Sequence, residues 1–437
     1  MNPELVVCVV SLGCAKNRIN SEQMMFLLSE AGYTITDDAC SADVAIVNTC
    51  AFIESAKLEA IETIIELGME KAKGRLARII AAGCLPERYR EEVIRELPEV
   101  DAVVGAGSFN DIVEAVASLQ QSRKKAFFGD INAPIREVER FLPAVKSWEY
   151  LKVAEGCDNR CAYCAIPGIR GKFRSRPMEM LLDEARTLAA AGVKELNLVA
   201  QDLTRYGLDI YGKRSLAELL GRLSGVDGPE WIRLHYLYPA DVDEALIEMV
   251  AGNDRILKYL DIPFQHINSA ILKKMRRRGT GNDIRELVAG LRDRIPGLVI
   301  RTSIITGLPG EGDEEFEELC EFLINAKIER AGVFAYSPEE GTPAARLEAP
   351  DRDTAERRAE LISGIQARIM DEFAAGRVGS VTQALVEYES EGLFYGRSYA
   401  ESHDVDGYYL IRGKGVKVND MVKMKITSAD EGEVLPV

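Results

Sequence analysis

The sequence lacks several features that mark common classes of protein. No run of apolar residues is long enough to span a bilayer. The first residues lack the basic segment and apolar core of a secretory signal. No GxxxxGK[ST] phosphate loop occurs, and the 437 residues include only 3 histidines. We therefore expect a cytoplasmic protein that does not enter a membrane.

The charge of the chain is strongly acidic. Its formal net charge is −16. The stretch from Gly376 to the last residue contains 7 Lys or Arg and 10 Asp or Glu, a net charge of −3. Proteins that bind nucleic acid usually show a basic surface, whereas an acidic surface attracts a basic protein. We therefore expect a basic protein partner, with Glu401, Asp404 and Asp406 as candidate docking residues, and we do not expect transfer RNA.

Three closely spaced cysteines, Cys157, Cys161 and Cys164, form a C-x3-C-x2-C motif. Thiolates at such short spacings hold soft metals and iron–sulfur clusters. A structural zinc site would require a fourth ligand, and a disulfide with a spare thiol does not suit a chain without secretory features. Three ligands on a four-iron cluster leave one iron open to a substrate or cofactor.

Three further cysteines occupy equivalent places in the first 140 residues, where short apolar runs alternate with amphipathic helices. This alternation predicts a doubly wound parallel sheet. Cys14, Cys50 and Cys84 each follow a predicted strand. Ligands bind at the carboxyl edge of such sheets, and helix N-termini there lower the pKa of a thiol. These cysteines therefore converge on a second metal site, unless they are unrelated buried residues.

The remaining cysteines are predicted to be packing residues; they are Cys8, Cys40 and Cys320.

The rest of the chain predicts two more domains after a polar linker at Gln121–Pro143. Six β/α units indicate a partial (β/α) barrel with its chemistry at the carboxyl ends of the strands. After a long helix near Asp353–Ala375, four short strands predict a small antiparallel β-barrel. The predicted domains are 1–140, 141–375 and 376–437.

Polar residues follow several strands of the predicted partial barrel, among them Gln201, His235 and His266. A Gly/Pro run, Thr306–Glu311, follows another strand. Glycine allows a backbone to approach a cofactor closely, but most runs of this kind are only turns.

The C-x3-C-x2-C motif, with an aromatic residue just before its last cysteine, resembles the cysteine motif of the radical S-adenosylmethionine (SAM) superfamily. The combination of domains resembles the radical SAM methylthiotransferases, in which the C-terminal barrel is a TRAM domain. Four stretches resemble the RimO family within that group: Ser11-Leu12-Gly13-Cys14-Ala15-Lys16-Asn17, Gly168-Ile169-Arg170-Gly171-Lys172-Phe173-Arg174-Ser175-Arg176-Pro177, Asp261-Ile262-Pro263-Phe264-Gln265-His266 and His403-Asp404-Val405-Asp406-Gly407.

The resemblance implies two 4Fe–4S clusters. Cys157, Cys161 and Cys164 would hold the cluster that binds and cleaves SAM, and Cys14, Cys50 and Cys84 a cluster that carries the sulfur. Tyr163 would lie against the adenine unless it only packs, with Gln201 and Arg301 in the SAM pocket. No catalytic side chain is assigned.

The implied reaction is methylthiolation of the β-carbon of an aspartate in protein twelve of the small ribosomal subunit. Its implied partners are a low-potential electron donor, such as a flavodoxin or ferredoxin, and a sulfur donor. Two alternatives remain open at this point. One is methylthiolation of isopentenyladenosine in transfer RNA, and the other is a two-cluster electron-transfer protein.

Overall fold

A computed structural model describes residues 5–119, 124–142 and 146–435. The chain divides into two compact units, which are described separately below. The first unit comprises residues 1–143, 154–176 and 337–345, and the second comprises residues 144–153, 177–336 and 346–437. Within each unit, the structure describes the residues that fall in the ranges given above. No helix in the described part of the chain is both long enough and apolar enough to cross a membrane.

The first unit is built on a six-stranded parallel sheet. Its elements are β1 (Val6–Ser11), α1 (Ala15–Glu30), β2 (Thr34–Thr36), β3 (Val44–Thr49), α2 (Glu54–Ala72), β4 (Arg78–Gly83), α3 (Cys84–Tyr89), α4 (Glu91–Glu96), β5 (Ala102–Gly105), α5 (Ile112–Ser118) and β6 (Lys125–Phe127). The strand order is β2-β1-β3-β4-β5-β6. The order reverses between β1 and β3, and such a switch point opens a crevice at the carboxyl ends of the strands.

Both faces of this sheet are covered, as the near-continuous apolar strands predict. Ala45 and Ile79 belong to a buried cluster on one face, whereas Ile46 and Ile80 belong to a cluster on the other. The predicted doubly wound sheet is thereby confirmed. The predicted linker is wrong in part, because β6 lies within it and pairs with β5. Gln121–Arg123 and Pro143 of that linker lie outside the described residues.

Four short elements follow between residues 148 and 175. They are β7 (Trp148–Lys152), β8 (Ala154–Glu155), α6 (Ile166–Arg170) and β9 (Arg174–Ser175). β7 belongs to the second unit, and the other three belong to the first. β8 and β9 pair in antiparallel fashion, with Ala154 opposite Ser175. This pairing closes the base of the loop that contains the C-x3-C-x2-C motif.

The second unit contains a six-stranded sheet whose strands all run parallel, in the order β14-β13-β12-β11-β10-β7. The elements after β9 are α7 (Met178–Ala190), β10 (Glu195–Val199), α8 (Leu208–Tyr211), α9 (Leu216–Leu223), β11 (Trp231–Leu234), α10 (Glu244–Gly252), β12 (Ile256–Asp261), α11 (Ser269–Lys274), α12 (Gly281–Arg294), β13 (Val299–Thr306), α13 (Asp313–Ala326) and β14 (Arg330–Ala335). Helices separate the strands and the sheet remains open, which confirms the predicted partial barrel.

The last part of the chain forms a closed five-stranded barrel after a long helix. These elements are α14 (Arg352–Arg377), β15 (Val381–Ser390), β16 (Leu393–Ser398), β17 (Tyr409–Arg412), β18 (Met421–Ile426) and β19 (Glu431–Val434). The small barrel was predicted, but with four strands instead of five. β19 also pairs parallel with β17, so the barrel is not wholly antiparallel.

A buried ionic network joins the small barrel to the parallel sheet within the second unit. The side chains of Glu195, Arg233 and Arg397 are fully buried. Glu195 on β10 accepts hydrogen bonds from Arg233 and from Arg397 on β16, each at 2.6 Å.

The contacts of the candidate docking residues correct one expectation, because two of the three are already paired within the second unit. Glu401 is buried and paired with Arg330 and Arg377. Asp406 accepts a hydrogen bond from the Tyr259 hydroxyl. Only Asp404 is exposed.

Candidate metal centre

Cys14, Cys50 and Cys84 lie at one edge of the first sheet. Cys14 caps the N-terminus of α1 just after β1, Cys50 follows β3, and Cys84 opens α3 directly after β4. Since β1, β3 and β4 are neighbours in the sheet, the carboxyl ends of these strands bring the thiols together at the switch point. Burial is the main cause of the raised pKa values of Cys50 and Cys84, and the charges of the neighbouring thiols add to it.

Three of the six candidate ligands directly follow a glycine with positive φ. These glycines are Gly13 (φ +83°), Gly83 (φ +92°) and Gly156 (φ +78°). A Cβ placed at Gly13 would lie 2.5 Å from Cys50 Cβ, and one at Gly156 would lie 2.0 Å from the Lys172 carbonyl oxygen. Only glycine tolerates both the backbone conformation and the contact. These Gly-Cys pairs are visible in the sequence, but our prediction of the ligands did not use the glycines.

Asn17 on α1 fixes the loops that lead to two of these cysteines. Its side-chain Nδ2 donates to the carbonyl oxygens of Leu12 (2.8 Å), Asn48 (3.0 Å) and Thr49 (3.2 Å). Leu12 lies two residues before Cys14, and Thr49 directly precedes Cys50. Because the amide nitrogen faces these carbonyls, Oδ1 faces the opposite way and is available as an acceptor.

Arg170 supplies the donor for that oxygen and also reaches a thiol. Its Nη2 donates to Asn17 Oδ1 at 2.9 Å, and its Nη1 donates to Asn20 Oδ1 at 2.9 Å. Both Nε and Nη2 donate to Cys84 Sγ, at 3.3 and 3.2 Å. Arg170 ends α6, which begins two residues after Cys164. The residues that follow one cysteine set therefore contact the other set within the first unit.

The thiols differ in their pKa values because their surroundings differ. Burial raises the pKa of Cys84 to about 11, although Arg170 opposes this effect. Burial likewise raises the pKa of Cys50. At Cys14 burial also acts to raise the pKa, but Lys16, Arg170 and backbone N–H groups of α1 outweigh it and lower the value. The expected lowering at helix N-termini thus holds for Cys14 and is wrong for Cys84, where burial dominates.

The C-x3-C-x2-C loop is held by its backbone. The Cys157 N–H donates to the Gly171 carbonyl at 3.1 Å, and the Cys164 N–H donates to the Cys161 carbonyl at 3.1 Å. The Asn159 N–H donates to Cys157 Sγ at 3.4 Å. These bonds fold the loop into a compact turn.

A segment distant in sequence, residues 337–345, packs against the same unit. The Ala344 N–H donates to the carbonyl of Ala162 at 2.9 Å. Glu339 in this segment pairs with Arg88 of α3 at 2.7 Å. The segment thus contacts both the motif loop and the helix that Cys84 opens.

Thiolate donors in groups of three are chemically suited to iron–sulfur clusters. All nine cysteines are described, and none of them forms a disulfide. No group of three or more His, Cys, Asp or Glu side chains within the described ranges is arranged to hold a single metal ion. Three cysteine thiolates in each set have the donor chemistry of an iron–sulfur cluster with one open iron.

The other candidate cofactor residues are divided between the two units. Tyr163 belongs to the first unit and is partly buried, whereas Gln201 and Arg301 belong to the second. Gln201 lies two residues after the end of β10. Arg301 on β13 donates to Asp261 at 3.1 Å, so its charge already has a counter-ion.

Two other strand-end features are part of the packing. His235 is buried and lies 3.5 Å from Asp261. A Cβ placed at Gly307 would lie 2.3 Å from Ala355 Cβ, so this glycine of the Gly/Pro run allows α14 to pack closely. Among the predicted packing cysteines, Cys8 is buried and Cys320 is partly buried. Cys40 is exposed, and its predicted packing role is wrong.

Three family models match the chain in succession. They are the uncharacterized protein family UPF0004 at residues 6–105, the radical SAM superfamily at 151–323 and the TRAM domain at 378–435. A protein from Thermoanaerobacter sp. (strain X514), named ribosomal protein uS12 methylthiotransferase RimO, is 44% identical over 98% of this chain and 99% of its own length. A protein of the same name from Acetivibrio thermocellus is 44% identical over 98% of this chain and 97% of its own length.

This chain belongs to the RimO family. It is a radical SAM methylthiotransferase, as its sequence predicted, and the superfamily implies use of SAM and a 4Fe–4S cluster. Solved structures that resemble it in fold include the radical SAM methyltransferase TsrM from Kitasatospora setae, with a TM-score of 0.57 and 14% identity over 96% of this chain and 80% of that one. The cobalamin-dependent radical enzyme OxsB has a TM-score of 0.52 and 11% identity over 84% of this chain and 56% of that one.

Proposed function

We propose that this member of the RimO family attaches a methylthio group to the β-carbon of an aspartate in ribosomal protein uS12. The observation that carries the proposal is the presence of two separate sets of three cysteines in one compact unit. Full-length similarity to proteins named for uS12 methylthiotransfer supports the choice of substrate.

Each cysteine set has its own role in this proposal. Cys157, Cys161 and Cys164 hold the cluster that binds SAM, and Cys14, Cys50 and Cys84 hold a second cluster. When bound, these groups supply the radical and sulfur chemistry that an unactivated C–H bond requires, since no side-chain base removes such a hydrogen at neutral pH.

The residues of the chain position these groups and limit access of water. Cys50, Cys84 and Cys161 are buried, and Asn17 and Arg170 fix the surrounding loops. Tyr163, Gln201 and Arg301 are proposed to contact SAM. Orientation of this kind accounts for much of the catalytic advantage when two reacting centres must meet.

Electrostatics favour a basic protein substrate. The chain carries a net charge of −16, and long-range attraction speeds encounters with a basic partner. A low-potential flavodoxin or ferredoxin is proposed as the electron donor, together with a separate sulfur donor. Transfer RNA, a polyanion, would meet net repulsion.

Mass spectrometry of a deletion strain tests this function. We expect uS12 from that strain to lack the mass of a methylthio group, and expression of the wild-type chain to restore it. Expression of the Cys14→Ala, Cys50→Ala, Cys84→Ala variant should not restore it. Unchanged uS12 together with loss of a methylthio group from transfer RNA would refute the substrate assignment.

A further inference from the structure

Arg170 is a buried cation in an unusual position. Its side chain is only 4% exposed, and it lies at the end of the short helix α6. The neighbouring Ile169 belongs to the same buried cluster as Cys84 and Leu85. α6 is therefore anchored in the core of the first unit, and the guanidinium has little freedom to move.

The guanidinium uses its planar fork to contact several acceptors at once. Nε and Nη2 both donate to Cys84 Sγ. Nη2 also donates to Asn17 Oδ1, and Nη1 donates to Asn20 Oδ1. Asn17 is itself fixed by carbonyls of the loops that lead to Cys14 and Cys50. A lysine carries the same charge but lacks this planar fork.

Arg170 also forms an ion pair with a carboxylate. Glu155 Oε2 lies 3.5 Å from Arg170 Nη1, farther than the amide oxygens of Asn17 and Asn20. Cys84, Glu155 and Cys14 all interact electrostatically with Arg170. The guanidinium therefore faces both Glu155 and the cysteine set, and its N–H···S hydrogen bonds go to Cys84.

From this geometry we infer that Arg170 is a positioning residue that holds the Cys84 ligand and raises the reduction potential of the cluster on Cys14, Cys50 and Cys84. The inference rests on the proposed function, because it requires that second cluster. Reduction adds negative charge to a cluster, so a nearby cation and N–H···S hydrogen bonds stabilise the reduced form.

The test measures the potential of this cluster alone. The parent protein would carry Cys157→Ala, Cys161→Ala and Cys164→Ala, and would be reconstituted anaerobically and titrated under electron paramagnetic resonance. Arg170→Gln should shift the midpoint to a more negative potential, and Arg170→Lys should shift it less. Arg176→Gln is the matched control, because Arg176 is also buried in the first unit but forms its ion pair with Glu137. Its midpoint should remain that of the parent.

The outcomes separate this inference from the proposed function. A folded parent that binds no iron would overturn the second cluster, and the inference with it. A parent that holds about four irons, with an unchanged midpoint in Arg170→Gln, would overturn the inference alone. If Arg170→Gln loses its cluster, Arg170→Lys becomes the test of the inference. A midpoint potential or spectrum that differs from that of the parent supports the role of Arg170, and values equal to those of the parent refute it.

Discussion

Replacing Glu195 with glutamine tests the network that joins the small barrel to the parallel sheet. Glu195 is fully buried and accepts hydrogen bonds from Arg233 and Arg397. The glutamine keeps the shape of the side chain but removes its charge. Two buried guanidinium groups would then share a neutral amide, one of whose ends is itself a donor.

Two arguments give the size of the effect. Although burial raises it, the arginines lower the pKa of Glu195 to about 2 from 4.5. This shift corresponds to about 3 kcal/mol of folding stability that is present above pH 4.5 and lost as the pH falls toward 2. Removing one partner of a buried ion pair typically costs about 3–5 kcal/mol. We therefore expect Glu195→Gln to lower the unfolding free energy of the second unit by about 3 kcal/mol.

Tryptophan fluorescence during urea unfolding at neutral pH is a suitable assay. The chain has only 2 tryptophans, Trp148 and Trp231. Trp148 stacks on His403 at 3.6 Å, and Trp231 packs in a buried cluster with Leu385. Both therefore report directly on the junction between the sheet and the small barrel.

An exposed ion pair provides the control. Asp183 and Arg186 form a pair with side chains 65% and 62% exposed, so Asp183→Asn should change stability by less than about 1 kcal/mol. If Glu195→Gln unfolds at the same urea concentration as Asp183→Asn, the buried network does not hold the two parts together, and our reasoning fails.

Three further predictions concern pH, loop geometry and the two cysteine sets. Burial, opposed by Arg397, raises the pKa of Glu387 to about 7 from 4.5, so this group's contribution to stability is lost as the pH rises from about 5 through 7. Glu387→Gln should flatten this decline in stability with rising pH, as measured by thermal unfolding. An unchanged pH profile would contradict the raised pKa of Glu387. Gly13→Ala should lose the iron of the second cluster. Gly74 also has positive φ, but nothing lies within 4 Å of an added Cβ, so Gly74→Ala should retain the iron. Equal iron content in both variants would argue against the close contact between position 13 and Cys50. Changing Cys14, Cys50 and Cys84 together to alanine should leave reductive cleavage of SAM intact, as measured by 5′-deoxyadenosine. Changing Cys157, Cys161 and Cys164 together should abolish this cleavage. Loss of 5′-deoxyadenosine in both variants would refute separate roles for the two cysteine sets.

Local pattern predicted most of the fold. Six β/α units were expected after the linker, and the parallel sheet of the second unit has six strands. Buried parallel strands are near-continuous apolar runs, and helices have their own periodicity, so each is recognisable without its neighbours. β19 was missed because its sequence, Glu431-Gly432-Glu433-Val434, has little apolar character and becomes a strand only by pairing with β17 and β18.

The sequence by itself determined which cysteines are candidate ligands, since short cysteine spacings and strand-end positions are local properties. It also determined which family the chain resembles. Only the tertiary structure decided the roles of charged residues such as Arg170, Glu401 and Asp406. Their sequence neighbours do not distinguish an exposed docking charge from a buried one, because burial and pairing depend on contacts with residues far away in the chain. Arg170 reaches Cys84 across 86 positions, and Arg397 reaches Glu195 across 202.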